Sequence, residues 1–92
     1  MTVEQLPALP DAFGPLPAAI ADEAALRAWL RERVAAMLVA DRHRLLALLY
    51  RVDVRERDLA DALSASDVPA ALADALIVRM VEKQRFRNQH PP

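Results

Sequence analysis

Residues 22–51 read DEAALRAWLRERVAAMLVADRHRLLALLYR, and the spacing of apolar side chains in this run decides the fold class. Leu26, Trp29, Leu30, Val34, Met37 and Leu38 recur at steps of three, one and four, the one-face period of an amphipathic helix. Arg27, Arg31 and Arg33 fall on the other side. Asp22 stands where a capping side chain is wanted, and Glu23 sits in the first turn, where the helix dipole favours an acid. Glu23 is also one turn from Arg27, close enough to pair. A helix is therefore predicted over 22–40. Asp41 would interrupt the stripe, so the helix should break there and restart over 42–51 with Asp41 as a new cap. One continuous kinked helix is the alternative. In the second segment Leu45, Leu46, Leu48, Leu49 and Tyr50 cover nearly every side. That segment is expected to be buried on more than one face and to form the centre of the core. Tyr50, if buried, needs a partner for its hydroxyl, and Arg51 and Asp53 are near enough in sequence to supply one.

Downstream, Asp53-Val54-Arg55-Glu56 matches a capping box, with the acid in the cap position and a second acid three residues on. A third helix of about ten residues should follow, using Val54, Leu59, Ala62 and Leu63. Ser64-Ala65-Ser66-Asp67 reads as a polar turn. Asp67 then caps a fourth helix, with Pro69 in the first turn, where a missing N–H costs nothing. That helix should run to about Asn88, with Val68, Leu72, Leu76, Ile77, Met80 and Val81 as its apolar stripe. Upstream, Pro7, Pro10, Pro15 and Pro17 block helix over residues 1–20. An extended arm is expected there. The arm also holds Leu6, Leu9, Phe13, Leu16 and Ile20, which are expected to pack on its own domain or on a partner. The chain thus divides into a proline-rich arm (1–20), a helical domain (21–88) and a frayed tail (89–92). The fold class is all-α, a small four-helix domain with a proline-rich extended N-terminal arm.

Composition narrows what such a domain can do. Apolar residues make up 54% of the 92, too many for a disordered chain, yet no apolar run is long enough to span a bilayer. The absence of cysteine removes disulfides, thiolate metal sites and cysteine nucleophiles. Gly14 is the sole glycine, so no glycine-rich phosphate loop can form. The N-terminal MTVEQLPALP carries an acid, no base and no continuous apolar run, and the closing QHPP matches no lipidation or retention signal; a cytoplasmic location is expected. Arginine outnumbers lysine eleven to one beside abundant alanine, a bias of GC-rich and hence bacterial coding sequence.

The net charge of −1 hides a block pattern. Residues 1–25 carry four acids and no base. Residues 26–51 carry six arginines against Glu32 and Asp41. Residues 52–76 carry six acids against Arg55 and Arg57, and residues 77–92 carry Arg79, Lys83, Arg85 and Arg87 against Glu82. A solvated mixed surface is the simplest account; antiparallel helices packed side by side, within or between chains, also suit such blocks.

Few residues suggest chemistry. Asp53, Asp58, Asp61, Asp67 and Asp74 make an acidic region, but oxygen-ligand cation sites need more ligands on a bent loop, so caps and a solvated face are expected. His43 and His90 have no ligand-spaced companion, and no metal or other cofactor is expected. Ser64 and Ser66 lack a nucleophile motif, and the chain is not expected to be an enzyme. The run Leu59 to Val68 has the spacing of a helix-turn-helix. Its second helix, however, would begin Pro69-Ala70-Ala71-Leu72-Ala73-Asp74, with no side chain able to read a base edge and an acidic flank. Arg79, Lys83 and Arg87 stand at i, i+4 and i+8, a basic stripe with Arg85 and Phe86 beside it. Such a stripe complements the helix dipole, and it also suits an acidic protein surface or RNA. Trp29 and the Leu-rich run at 45–50 are expected in the core rather than around a ligand.

The segment LLYRVDV (48–54), followed by LIVRMVEKQ (76–84), resembles a pattern of short, uncharacterised bacterial helical proteins over residues 22–85. That resemblance implies no activity, cofactor or catalytic residue. The leading expectation is a small non-catalytic protein–protein interaction module, an accessory or adaptor protein that binds itself as a homodimer or binds another protein as a heteromer, through Phe13, Leu16, Arg79, Lys83, Phe86 and Arg87. A nucleic-acid-binding regulator or antitoxin is the alternative, with an accessory subunit of an enzyme complex behind it; nucleic acid is disfavoured as a partner and a membrane is not expected.

Overall fold

A computed structural model describes residues 17–89 of the chain, with side chains described through residue 86. Four helices follow one another: α1 (Glu23–Ala40), α2 (Arg42–Val52), α3 (Glu56–Leu63) and α4 (Val68–Gln89). The described residues contain no strand.

Three helix starts obey local capping chemistry. The Ala25 N–H donates to Asp22 Oδ1 at 2.8 Å. Asp41 serves two helices at once. Its N–H donates to the Met37 carbonyl at 2.8 Å and closes α1, while its Oδ1 accepts from the Arg44 N–H at 3.1 Å and opens α2. The chain therefore breaks at Asp41 instead of bending through it. At the start of α4, Asp67 Oδ1 accepts from the Ala70 N–H at 3.2 Å. The turn at Ser64–Asp67 forms as expected, with Ser64 Oγ donating back to the Ala60 carbonyl at 3.1 Å.

The start of α3 is different. Asp53 does not cap it: Arg55 precedes the first turn and gives no side-chain hydrogen bond. Asp53 instead ends α2, in the left-handed conformation with φ 64°. The Asp53 N–H donates to the Tyr50 carbonyl at 3.0 Å and the Val54 N–H to the Leu49 carbonyl at 3.1 Å. Together these make a Schellman turn, whose left-handed position glycine usually fills. An N-cap needs an extended backbone, so one residue cannot take both parts. The third helix is accordingly shorter than expected, at 8 residues.

α1 and α4 share the most extensive interface, and α3 packs next on α4. Ion pairs show the direction: Arg27 pairs with Asp74, and Arg31 Nη2 lies 3.0 Å from Asp67 Oδ2, so the two long helices run antiparallel. Glu23 and Arg27 also pair, at 3.6 Å. The core is Leu26, Leu30 and Val34 of α1, Leu45, Leu48, Leu49 and Val52 of α2, Ala62 of α3, and Leu72, Ala73, Leu76, Ile77 and Met80 of α4. Trp29, Met37 and Leu38 pack half-buried at its edge, and the Arg33 guanidinium sits 5.5 Å from the Trp29 ring centre.

Two packing expectations are corrected. α2 buries one face only, because among the described residues no element is laid against its outer side: Leu46 and Tyr50, one turn apart, are exposed. The centre of the core is the α1–α4 seam, not α2. The Tyr50 hydroxyl is therefore in solvent and needs no internal partner. Leu63 also points outward; Ala62, one residue back and about 100° round the helix, takes the inward place. Phe13 and Leu16, and the arm expected to be extended, lie outside the described residues except for its last residues, Pro17–Ile20. There the Ile20 N–H donates to the Pro17 carbonyl at 3.1 Å, and Ile20 packs against the core.

Candidate binding cleft

The second half of α4 carries the basic stripe, and the Schellman turn at Asp53 lies against it. Arg79 holds the two together. Its Nε donates to the Asp53 carbonyl at 2.9 Å, and its Nη2 to the Asp53 carboxylate at 3.1 Å. Its Nη1 donates to Glu82 at 3.1 Å, and Arg55 Nη2 reaches the same Glu82 oxygen at 3.0 Å. Arg79 is 23% exposed in its side chain, the most sheltered member of the network. A guanidinium suits this place because its rigid fork can serve a carbonyl and two carboxylates at once. Arg79 is thus a structural clamp on the α2–α3 connection before it is anything else.

An open cleft of about 670 Å³ lies beside this clamp, lined by Arg55, Arg79, Glu82, Lys83 and Phe86. Three cations and one carboxylate face it, and Lys83 has no ion pair among the described residues. Phe86 exposes most of its ring at the same place. Arg85 is exposed nearby on the helix. The structure so brings together Arg79, Lys83 and Phe86, three of the residues singled out from the sequence. The side chain of Arg87 lies outside those described. Arg55 and Glu82 are lining residues that sequence reasoning missed. The Arg79–Glu82 spacing of three was a signal for one of these contacts; nothing local pointed Arg55 at a residue 27 positions away.

The acidic residues are dispersed by function. Asp53 meets Arg79, Asp74 meets Arg27, and Asp67 both caps α4 and takes the Arg31 fork. The Ala70 N–H, and after it Arg31, hold the Asp67 carboxyl below its ordinary value of 3.8. Asp58 and Asp61 line a second open groove between α3 and α4, together with Ala62, Ala71 and Ala75. Among the described residues no group of three or more His, Cys, Asp or Glu side chains is arranged to hold a metal ion. None of their helices is long and apolar enough to cross a membrane. His43 is exposed on the first turn of α2.

No family model, curated protein or solved structure matches this chain.

Proposed function

We propose that this protein is a small non-catalytic interaction module that binds a protein segment carrying acidic and apolar side chains in the cleft beside Phe86. The observation that carries this reading is the pairing of an exposed aromatic ring with Lys83 and Arg55 over a floor fixed by Arg79. Aromatic and arginine side chains at a well-formed concavity are the residue types that dominate protein recognition. The cations steer an acidic partner, and the ring supplies apolar area. The outer face of α2, with Leu46 and Tyr50, and the nearly bare Val39 of α1 supply further apolar area for self-association.

Affinity capture from native lysate, with and without nuclease, tests the reading. A protein retained by the wild-type chain after nuclease treatment, and lost with a Lys83→Glu/Phe86→Ala variant, is the expected result. Retention abolished by nuclease would transfer the cleft to a nucleic acid. Retention unaffected by the double variant would remove the cleft from the function.

A further inference from the structure

The chain itself carries a segment with the chemistry that this cleft selects. Residues 1–16 contain Glu4 and Asp11 and no lysine or arginine, beside Leu6, Leu9, Phe13 and Leu16. The cleft is lined by Arg55, Arg79 and Lys83 against Glu82, with Asp53 also on Arg79, so it keeps one cation in excess, Lys83, beside an exposed phenylalanine. We propose that the N-terminal arm is the cleft's resident occupant: it docks in cis against Arg55, Lys83 and Phe86, and an external partner must displace it. This rests on the cleft being a protein-binding site.

The topology brings the arm to the right end of the molecule. α1 and α4 are antiparallel, as Arg27–Asp74 and Arg31–Asp67 show. The start of α1 therefore lies at the second half of α4, where Arg79, Lys83 and Phe86 stand. Immediately before α1, the Pro17–Ile20 turn and the packing of Ile20 on the core fix the root of the arm. Reach is not limiting. Sixteen residues of proline-rich chain span about 50 Å when extended, more than the longest dimension of the folded part, 37 Å. Four of the chain's seven prolines lie at or before position 17, which lowers the conformational entropy lost when the arm is held.

Tethering decides the magnitude. A short linker presents its end at an effective concentration on the order of millimolar. A cleft with an intrinsic dissociation constant of about 0.1 mM would then be filled by the arm most of the time. A partner in trans would feel its affinity reduced by the fraction of free cleft. The arm so sets a threshold: only partners with a better acidic and apolar match, or present at high local concentration, gain access.

The full chain has no cysteine, so one introduced thiol gives a clean attachment point. A nitroxide spin label is placed at Ala12→Cys, and in a second sample at Ala8→Cys, in case the first label itself blocks docking. Amide resonances of the ¹⁵N-labelled full chain are then compared with the label oxidised and reduced. The expected result is loss of most of the intensity over residues 79–86 and in the Arg55 turn. Lys83→Glu should restore that intensity, and Lys83→Glu combined with Asp11→Lys should abolish it again. Unchanged helical circular dichroism shows that the variants remain folded. Attenuation spread evenly over the surface, or centred on Leu46 and Tyr50, in both labelled samples would overturn the proposal. A spin-labelled chain of natural isotope composition, mixed with unlabelled ¹⁵N chain, completes the experiment. Attenuation in the mixture as strong as within one chain would show docking on a second copy and overturn docking in cis. Lysate capture lost in the Lys83→Glu/Phe86→Ala variant, together with a negative spin-label result, would retain the cleft and discard only the arm. The reverse pattern would leave the cleft to the arm alone and remove the partner.

Discussion

Substitutions at Asp53 separate two jobs that one aspartate could hold, and they do so by several degrees of melting temperature. If Asp53 capped α3, threonine and asparagine would be near-equal replacements and glycine would cost only a few tenths of a kcal/mol. The structure instead puts Asp53 at φ 64°, closing α2, with its carbonyl and carboxylate on Arg79. A left-handed backbone costs an ordinary L-residue about 1–2 kcal/mol, and a β-branched residue stands at the upper end. Asparagine and aspartate tolerate it, and glycine removes the penalty. The ion pair to Arg79 adds little by itself, because the Asp53 side chain is 73% exposed; such pairs contribute about 0–1 kcal/mol. Asp53→Thr should therefore lose about 2 kcal/mol, the backbone cost plus part of the ion pair. For a domain of this size that corresponds to a fall in Tm on the order of 10 °C. Asp53→Asn should lose under about 1 kcal/mol, and Asp53→Gly should lie within about 0.5 kcal/mol of wild type, because backbone relief offsets the lost pair. Thermal melts and urea titrations of the three variants measure the order. A threonine variant as stable as wild type would refute the left-handed assignment and restore Asp53 to the head of α3.

Asp67 gives a pH signature. Its folded carboxyl titrates below the ordinary 3.8, so the unfolded chain binds that proton first as pH falls. Its contribution is complete above the unfolded value and is lost as pH drops below about 4. Urea titrations at pH 7 and pH 3 should show lower stability at pH 3, and Asp67→Asn, which keeps a capping oxygen, should narrow that difference; an unchanged difference would deny Asp67 a part in it. Nucleic acid should not bind. Labelled DNA and RNA of mixed sequence should show no anisotropy change at about 0.15 M salt, where even non-specific binders give dissociation constants of about 10⁻⁴ to 10⁻⁶ M. Micromolar binding that weakens with salt and disappears in an Arg79→Glu/Lys83→Glu variant would contradict the protein-binding reading. Light scattering should find the purified chain self-associated, and a monomer of 10.2 kDa with no partner present would count against that reading. Tyr50→Glu should weaken any homodimer, and an unchanged mass distribution would exclude the outer face of α2 from the contact.

Much of this architecture was legible because capping is local. Asp22, Asp41 and Asp67 each announce a helix start within three residues, and each carboxylate oxygen accepts a backbone N–H of the first turn where expected. The stripes of α1 and α4 were equally plain, since a core face repeats with the period of the helix. Asp53 misled because the same four-residue pattern fits a capping box, and only the backbone of the preceding helix decides against it. Leu46 and Tyr50 misled for another reason. Periodicity shows which side chains are apolar, but whether an outer face is covered depends on where other helices lie. The basic stripe was visible on α4, yet its division of labour was not. Arg79 turns inward to a turn 26 residues earlier, while Lys83 and Phe86 face the cleft, and no local pattern distinguishes the clamp from the contacts. Arg55 belongs to the cleft only because α3 folds back onto α4.

The location of the docking surface is the central claim, and amide-shift mapping tests it most directly. The ¹⁵N-labelled full chain is titrated with the partner recovered by nuclease-resistant capture. The account predicts the largest shift changes at Arg55, Arg79, Glu82, Lys83 and Phe86, with the arm residues 1–16 shifting in step as they are displaced. Changes confined to Leu46, Tyr50 and the rest of the outer face of α2, with the cleft residues unmoved, would contradict it.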